Sequence, residues 1–110
     1  METETIKENQ AIIWRPKEEL EDPVNLKEAV AVVKSNGMKT VLLDLSAKEW
    51  VSSSEIGVVM WVFKELESLG TNLNILATSP FVMKTIKLTG IDQLLPVFDS
   101  LEKALETINS

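Results

Sequence analysis

The 110-residue chain has no cysteine and no histidine. Without cysteine there is no disulfide framework, no thiolate nucleophile and no thiolate metal site. Without histidine, the commonest general base and the commonest metal ligand are both missing, which weighs heavily against an enzyme. Glycine is scarce, at four residues, and no phosphate-cradling glycine loop is present. Positive charge is also in short supply: 11 Lys and Arg stand against 17 Asp and Glu, a net charge of −6. A nucleic-acid surface normally needs a basic face, so none is expected, whereas a basic protein partner would suit this balance. The longest apolar run, residues 58–63, falls far short of a bilayer span, so no direct membrane insertion is expected. The start, Met1-Glu2-Thr3-Glu4-Thr5, is acidic and polar and does not read as a signal peptide, which makes the cytoplasm the expected location. What remains is ordinary for a globular protein, 45% apolar and 25% charged, and the length suits one domain over 1–110.

The apolar pattern divides the chain into alternating strands and helices. Ala11-Ile12-Ile13-Trp14 predicts a strand, with Thr5-Ile6-Lys7 as a hairpin arm across residues 8–10. Residues 16–21 are charged and read as a loop; the acidic cluster Glu18, Glu19, Glu21 and Asp22 reads as solvated. Asp22 followed by Pro23 is a helix start, with Leu26, Ala29, Val30 and Val33 on one face and Asn36 and Gly37 as the stop. Residues 41–45 form a near-continuous apolar strand, as in a parallel sheet covered on both faces. Ile56, Val59, Met60, Phe63 and Leu66 then mark the inward stripe of a helix closed by Gly70. Leu73, Ile75 and Ala77 alternate with polar residues as a strand, completing a βαβ unit. Ser79 and Pro80 open a third helix, with Val82, Met83 and Ile86 inward and Gly90 at its end. Pro96-Val97-Phe98 predicts a short edge strand, since proline cannot donate to a ladder. Asp99 or Ser100 caps a last helix whose inward face is Leu101, Ala104, Leu105 and Ile108. The fold class is α/β, a small central mixed sheet of roughly four to five strands layered with about four helices.

The most informative segment is Ser52-Ser53-Ser54-Glu55, between the strand at 41–45 and the helix that follows. In an open α/β sheet the crevice at the carboxyl ends of the strands is the usual docking place. Ser52-x-x-Glu55 has the spacing of a capping box, worth about 1 kcal/mol and needing no function. Ser53 then falls at the first helical position with its hydroxyl toward solvent. A phosphate there would be tolerated by the helix dipole and opposed by Glu55 by on the order of 1 kcal/mol.

Four pieces of the chain resemble the STAS domain, the fold of bacterial anti-sigma-factor antagonists. Val41-Leu42-Leu43-Asp44-Leu45-Ser46 is similar to the family's central strand, and Val51-Ser52-Ser53-Ser54-Glu55-Ile56-Gly57 occupies the place of its I-D-S-[ST]-G-L-G motif. Leu69-Gly70-Thr71-Asn72-Leu73 is similar to its r-x-G-x-x-L turn. The run from Leu88-Thr89-Gly90-Ile91-Asp92 to Gln93-Leu94-Leu95-Pro96-Val97-Phe98-Asp99-Ser100 is similar to its L-T-G-L-D-x-L-F-P-I-x-D-S tail. The resemblance implies a non-enzymatic regulator that binds an anti-sigma factor which is also a serine kinase. That kinase phosphorylates the serine after the motif aspartate, which here is Ser53, and so ends the association. The motif aspartate is Ser52 in this chain and the first motif glycine is Glu55, while Gly57 is kept.

The alternative implication is a constitutive interaction module, such as a STAS subunit that stabilises a transporter ATPase without phosphorylation. No cofactor, metal or catalytic residue is expected. Ser52, Ser54, Glu55 and Gly57 are the motif and cap residues. Trp50, just before the serines, and Trp61, turned roughly 100° from Met60 on its helix, are the candidate partner contacts. Asp44 at the strand end is expected to bond nearby backbone or serine groups.

Overall fold

The computed structural model describes residues 1–6, 8, 10–18, 20 and 23–109, with the backbone alone at 23–25. Ten elements follow in order: β1 (Glu2–Ile6), β2 (Ala11–Arg15), α1 (Pro23–Asn36), β3 (Thr40–Asp44), α2 (Ser53–Ser68), β4 (Asn72–Leu76), α3 (Pro80–Thr89), a 3₁₀ turn (Ile91–Gln93), β5 (Val97–Phe98) and α4 (Leu101–Asn109). The strands lie in one mixed sheet in chain order, β1-β2-β3-β4-β5. β1 runs antiparallel to β2, with Ile6 opposite Ala11, so the hairpin arm exists and reaches back to Glu2. The remaining pairs are parallel, with Trp14 opposite Leu43, Leu43 opposite Ile75 and Ile75 opposite Val97.

Strand alternation sends side chains to two cores. Ile12, Trp14, Val41, Leu43, Leu73 and Ile75 meet Leu26 and Val33 of α1, Val59, Val62 and Leu66 of α2, and Val82 and Ile86 of α3. Ala11, Ile13, Leu42 and Leu76 point the other way, onto Ala104 and Ile108 of α4. Strands that succeed one another in one direction place their crossover helices on a single face when every crossover has the same hand, and α1, α2 and α3 share a face accordingly. Each fully buried aliphatic side chain contributes about 1.5–3 kcal/mol.

Two expectations about inward faces are corrected, and one element is added. The buried line of α2 is Glu55, Val59, Val62 and Leu66, while Ile56, Met60 and Phe63 are half-buried flanks. α2 is the middle helix of three, so its flanks meet neighbours and only the line facing the sheet is sealed. Leu101 is exposed at the start of α4, where Ala104 and Ile108 carry the contact. The 3₁₀ turn between α3 and β5 has no counterpart in the apolar pattern: Gly90 leaves α3 at φ 79°, and Ile91 is the turn's one buried residue. Asp22, Glu19 and Glu21 lie outside the described residues; Glu18 is exposed.

Candidate functional site

The carboxyl ends of β2, β3 and β4 converge on the segment that leads into α2. Asp44 closes β3, and its Oδ1 accepts from the Ser46 backbone N–H (2.9 Å) and the Ser46 hydroxyl. Its other oxygen pairs with Arg15 Nε at 3.4 Å, and Arg15 reaches on to Glu4 at 3.0 Å. Asp44 therefore orders the strand end and leaves no carboxylate oxygen uncommitted.

The start of α2 is a complete capping box. Ser52 Oγ accepts from the Glu55 backbone N–H, and Glu55 Oε1 accepts from the Ser52 backbone N–H, both at 3.1 Å. The Ser52 carbonyl takes the Ile56 N–H in the first helical bond. Ser52 thus performs the cap alone. Ser53 and Ser54 are exposed, and their hydroxyls make no hydrogen bond among the described residues.

Glu55 does more than cap. It is 1% exposed, and its Oε2 accepts from Lys48 Nζ at 2.9 Å and from the Leu20 backbone N–H at 3.3 Å. The Lys48 side chain is only 8% exposed, and its ammonium also reaches the Glu18 carbonyl at 3.3 Å. One carboxylate therefore ties three segments together: the chain after β2, the β3–α2 connection and the first turn of α2. Burial pushes the Glu55 carboxyl upward, but Lys48 and the Ser52 and Leu20 N–H groups favour the charged form more strongly, so its pKa is lowered. The expectation that Glu55 stands in solvent and opposes a phosphate on Ser53 is corrected. Its charge points inward and is neutralised by Lys48.

Lys48 is the residue that sequence reasoning missed. A single lysine in a short connection carries no periodic signal. Glu55 was more accessible, because Val59, Val62 and Leu66 lie four, seven and eleven residues after it, on the same helical face.

The two tryptophans separate. Trp50 is 61% exposed and lines a shallow depression with Lys17, Ala47 and Glu49, above the Lys48–Glu55 pair. Trp61 is half-buried against the core and lines another groove with Lys27, Ser54, Gly57 and Val58, between α1 and α2. Trp61 is therefore grouped with the motif residues Ser54 and Gly57, and Trp50 with the ion pair. The cap of the next helix joins the same rim: Ser79 Oγ donates to the Glu49 carbonyl and accepts from the Phe81 N–H. No helix among the described residues is long and apolar enough to cross a membrane.

Comparison with known proteins bears on the family and the fold. A Thermotoga neapolitana protein provisionally named an anti-sigma factor antagonist is 26% identical over 74 residues, 67% of this chain and 66% of that relative, just under two thirds of its length. Among solved structures, a protein from Thermotoga maritima provisionally described as an anti-sigma factor antagonist superposes with a TM-score of 0.78 at 21% identity, over 99% of this chain and 94% of the other. The anti-sigma factor antagonist SpoIIAA in its unphosphorylated form gives 0.70 at 20% identity, over 98% and 95%. At these identities the superpositions show a shared fold. The STAS domain model matches residues 4–104, nearly the whole chain, and with the sheet order and the serine-bearing start of α2 this establishes that the chain belongs to the STAS domain family.

Proposed function

We propose that this chain is a non-enzymatic regulatory module that binds a cognate anti-sigma factor with serine-kinase activity, and that phosphorylation of Ser53 ends the association. The binding surface is the β3–α2 connection, the first turns of α2 and the groove beside Trp61, with Trp50 at its rim. The observation that carries this reading is the division of labour among the serines. Ser52 is consumed by the cap, whereas the Ser53 hydroxyl is exposed and, among the described residues, free of other bonds at the positive end of a sixteen-residue helix. A phosphate there meets a favourable dipole, and the Glu55 carboxylate two residues on is turned inward and paired with Lys48.

A second reading, a constitutive subunit that stabilises a transporter ATPase, is favoured by the Lys48–Glu55 pair itself. A connection pinned at both ends is suited to permanent docking. Affinity capture from native cells, with phosphate mapped on Ser52, Ser53 and Ser54 in the same sample, separates the two. A serine-kinase anti-sigma factor with phosphate on Ser53 supports the first reading, and a transporter ATPase without phosphate supports the second. With the kinase-type partner in hand, Ser53→Asp should weaken the complex by about tenfold or more. Unchanged affinity would remove Ser53 as the control point.

A further inference from the structure

The outward face of α3 is uncovered among the described residues and carries two large apolar side chains. Phe81 and Leu88 are 70% and 78% exposed. Phe81, Lys84, Thr85 and Leu88 follow one another at i, i+3, i+4 and i+7, so they share one face, turned away from the buried Val82 and Ile86. Within α3 there are two lysines and no acidic residue, in a chain whose net charge is −6. Neither Lys84 nor Lys87 forms an ion pair among the described residues. Thr85 is occupied locally, donating its hydroxyl to the Phe81 carbonyl at 3.1 Å, which leaves the two large apolar side chains and Lys84 as the features offered outward.

We propose that this face is a docking surface for an acidic amphipathic helix of another protein. The geometry favours a helix as occupant. The ridge formed by Phe81, Lys84 and Leu88 spans two turns, which suits the groove between side-chain rows of a second helix. The charge favours an acidic one: Lys84 lies between the apolar anchors and Lys87 flanks them, so carboxylates beside a leucine stripe gain pairing at the rim while Phe81 and Leu88 supply the buried contact. A symmetric contact with a second copy would set one lysine-bearing face against another. The N-cap of α3, Ser79, touches the rim of the Ser53 site at the Glu49 carbonyl, but the capping box and the Lys48–Glu55 pair are built without α3.

The test uses the full chain and two designed peptides of about eighteen residues, roughly five helical turns. Both carry the same leucine stripe, one with glutamates on its flanks and the other with lysines. Nuclear magnetic resonance titration should show the glutamate peptide binding, with shifts centred on α3, and the lysine peptide failing to bind. Raising salt from about 50 to about 500 mM should weaken the complex several-fold. Because Phe81 and Leu88 are exposed, Phe81→Ser with Leu88→Ser should leave the fold intact by circular dichroism and reduce binding about tenfold or more. Lys84→Glu should reverse the preference between the peptides. Equal binding of both peptides, binding indifferent to the serine pair, or no binding at ~1 mM peptide would overturn the proposal. So would capture of the chain by phosphatidylglycerol vesicles that the glutamate peptide does not compete away, or a dimer abolished by the serine pair.

Discussion

Replacing Glu55 with glutamine should destabilise the protein out of proportion to the change in shape. The carboxylate accepts three N–H groups, from Ser52, Leu20 and Lys48, and sits 1% exposed. A glutamine can keep one acceptor toward Ser52, but its amide then turns two hydrogens toward the Leu20 N–H and the Lys48 ammonium. Lys48 would be left as a buried cation without a counter-charge, and breaking a buried pair in this way costs about 3–5 kcal/mol. With a urea slope of about 1–3 kcal/mol per molar for a small domain, the midpoint should fall by about 1 M or more. Urea unfolding followed by far-ultraviolet circular dichroism measures this. Replacing both partners, Glu55→Gln with Lys48→Met, should recover part of the loss, since the uncompensated charge is gone; together with the Lys48→Met single variant this closes a cycle that gives the coupling energy.

The pH dependence carries a second signature. The folded pKa of Glu55 lies below its usual value of 4.5, so the stability it contributes is fully present above that value and is lost as pH falls through the folded pKa. The gap between wild type and Glu55→Gln should therefore be widest near neutrality and narrow in acid. A loss below about 1 kcal/mol at neutral pH, the range of an exposed pair, would refute the reasoning and make the Lys48 contact incidental.

Other expectations follow from the same geometry. Ser52→Ala removes the acceptor for the Glu55 N–H and should cost about 1 kcal/mol, read as a fall of about 5 °C in Tm by calorimetry. Gly57 lies exposed inside α2 with open space where a Cβ would sit, so Gly57→Ala should stabilise by about 0.5–1 kcal/mol. Gly90 has equal space but a φ of 79°, so Gly90→Ala should cost about 1 kcal/mol, and chemical denaturation of the two variants should give opposite signs. Trp14 is fully buried, and its indole N–H has no partner among the described residues; Trp14→Phe should cost far less than the about 3–5 kcal/mol of Trp14→Ala, because it deletes that donor while keeping most of the packing.

Much of the fold was legible along the chain because its signals are local. Residues 41–45 announce a covered parallel strand by composition. Ser79 with Pro80 marks a helix start, and Gly90 a helix end, by backbone chemistry that needs no distant partner. The capping box is of the same kind, since Ser52 and Glu55 are three residues apart and bond to each other's backbone. Periodicity also found α2 with its sealed Val59 and Leu66, but it added the flanking Ile56, Met60 and Phe63 and passed over Glu55 and Val62. Pattern reading discounts a charged residue as a core position, and here the charge is tolerated only because a distant lysine neutralises it.

That pairing marks the division. Sequence alone determined the alternation of strands and helices, the placing of the serines at the start of α2 and the assignment of the cap, since each depends on residues a few positions apart. The tertiary structure decided that Glu55 turns inward, that Leu20 and Lys48 meet it from two other segments, that Trp50 stands in solvent while Trp61 lies half-buried beside Ser54, and that Phe81 and Leu88 remain uncovered. Each of these depends on which segments the sheet order brings together. Burial and pairing are properties of that three-dimensional neighbourhood, and spacing along the chain does not encode them.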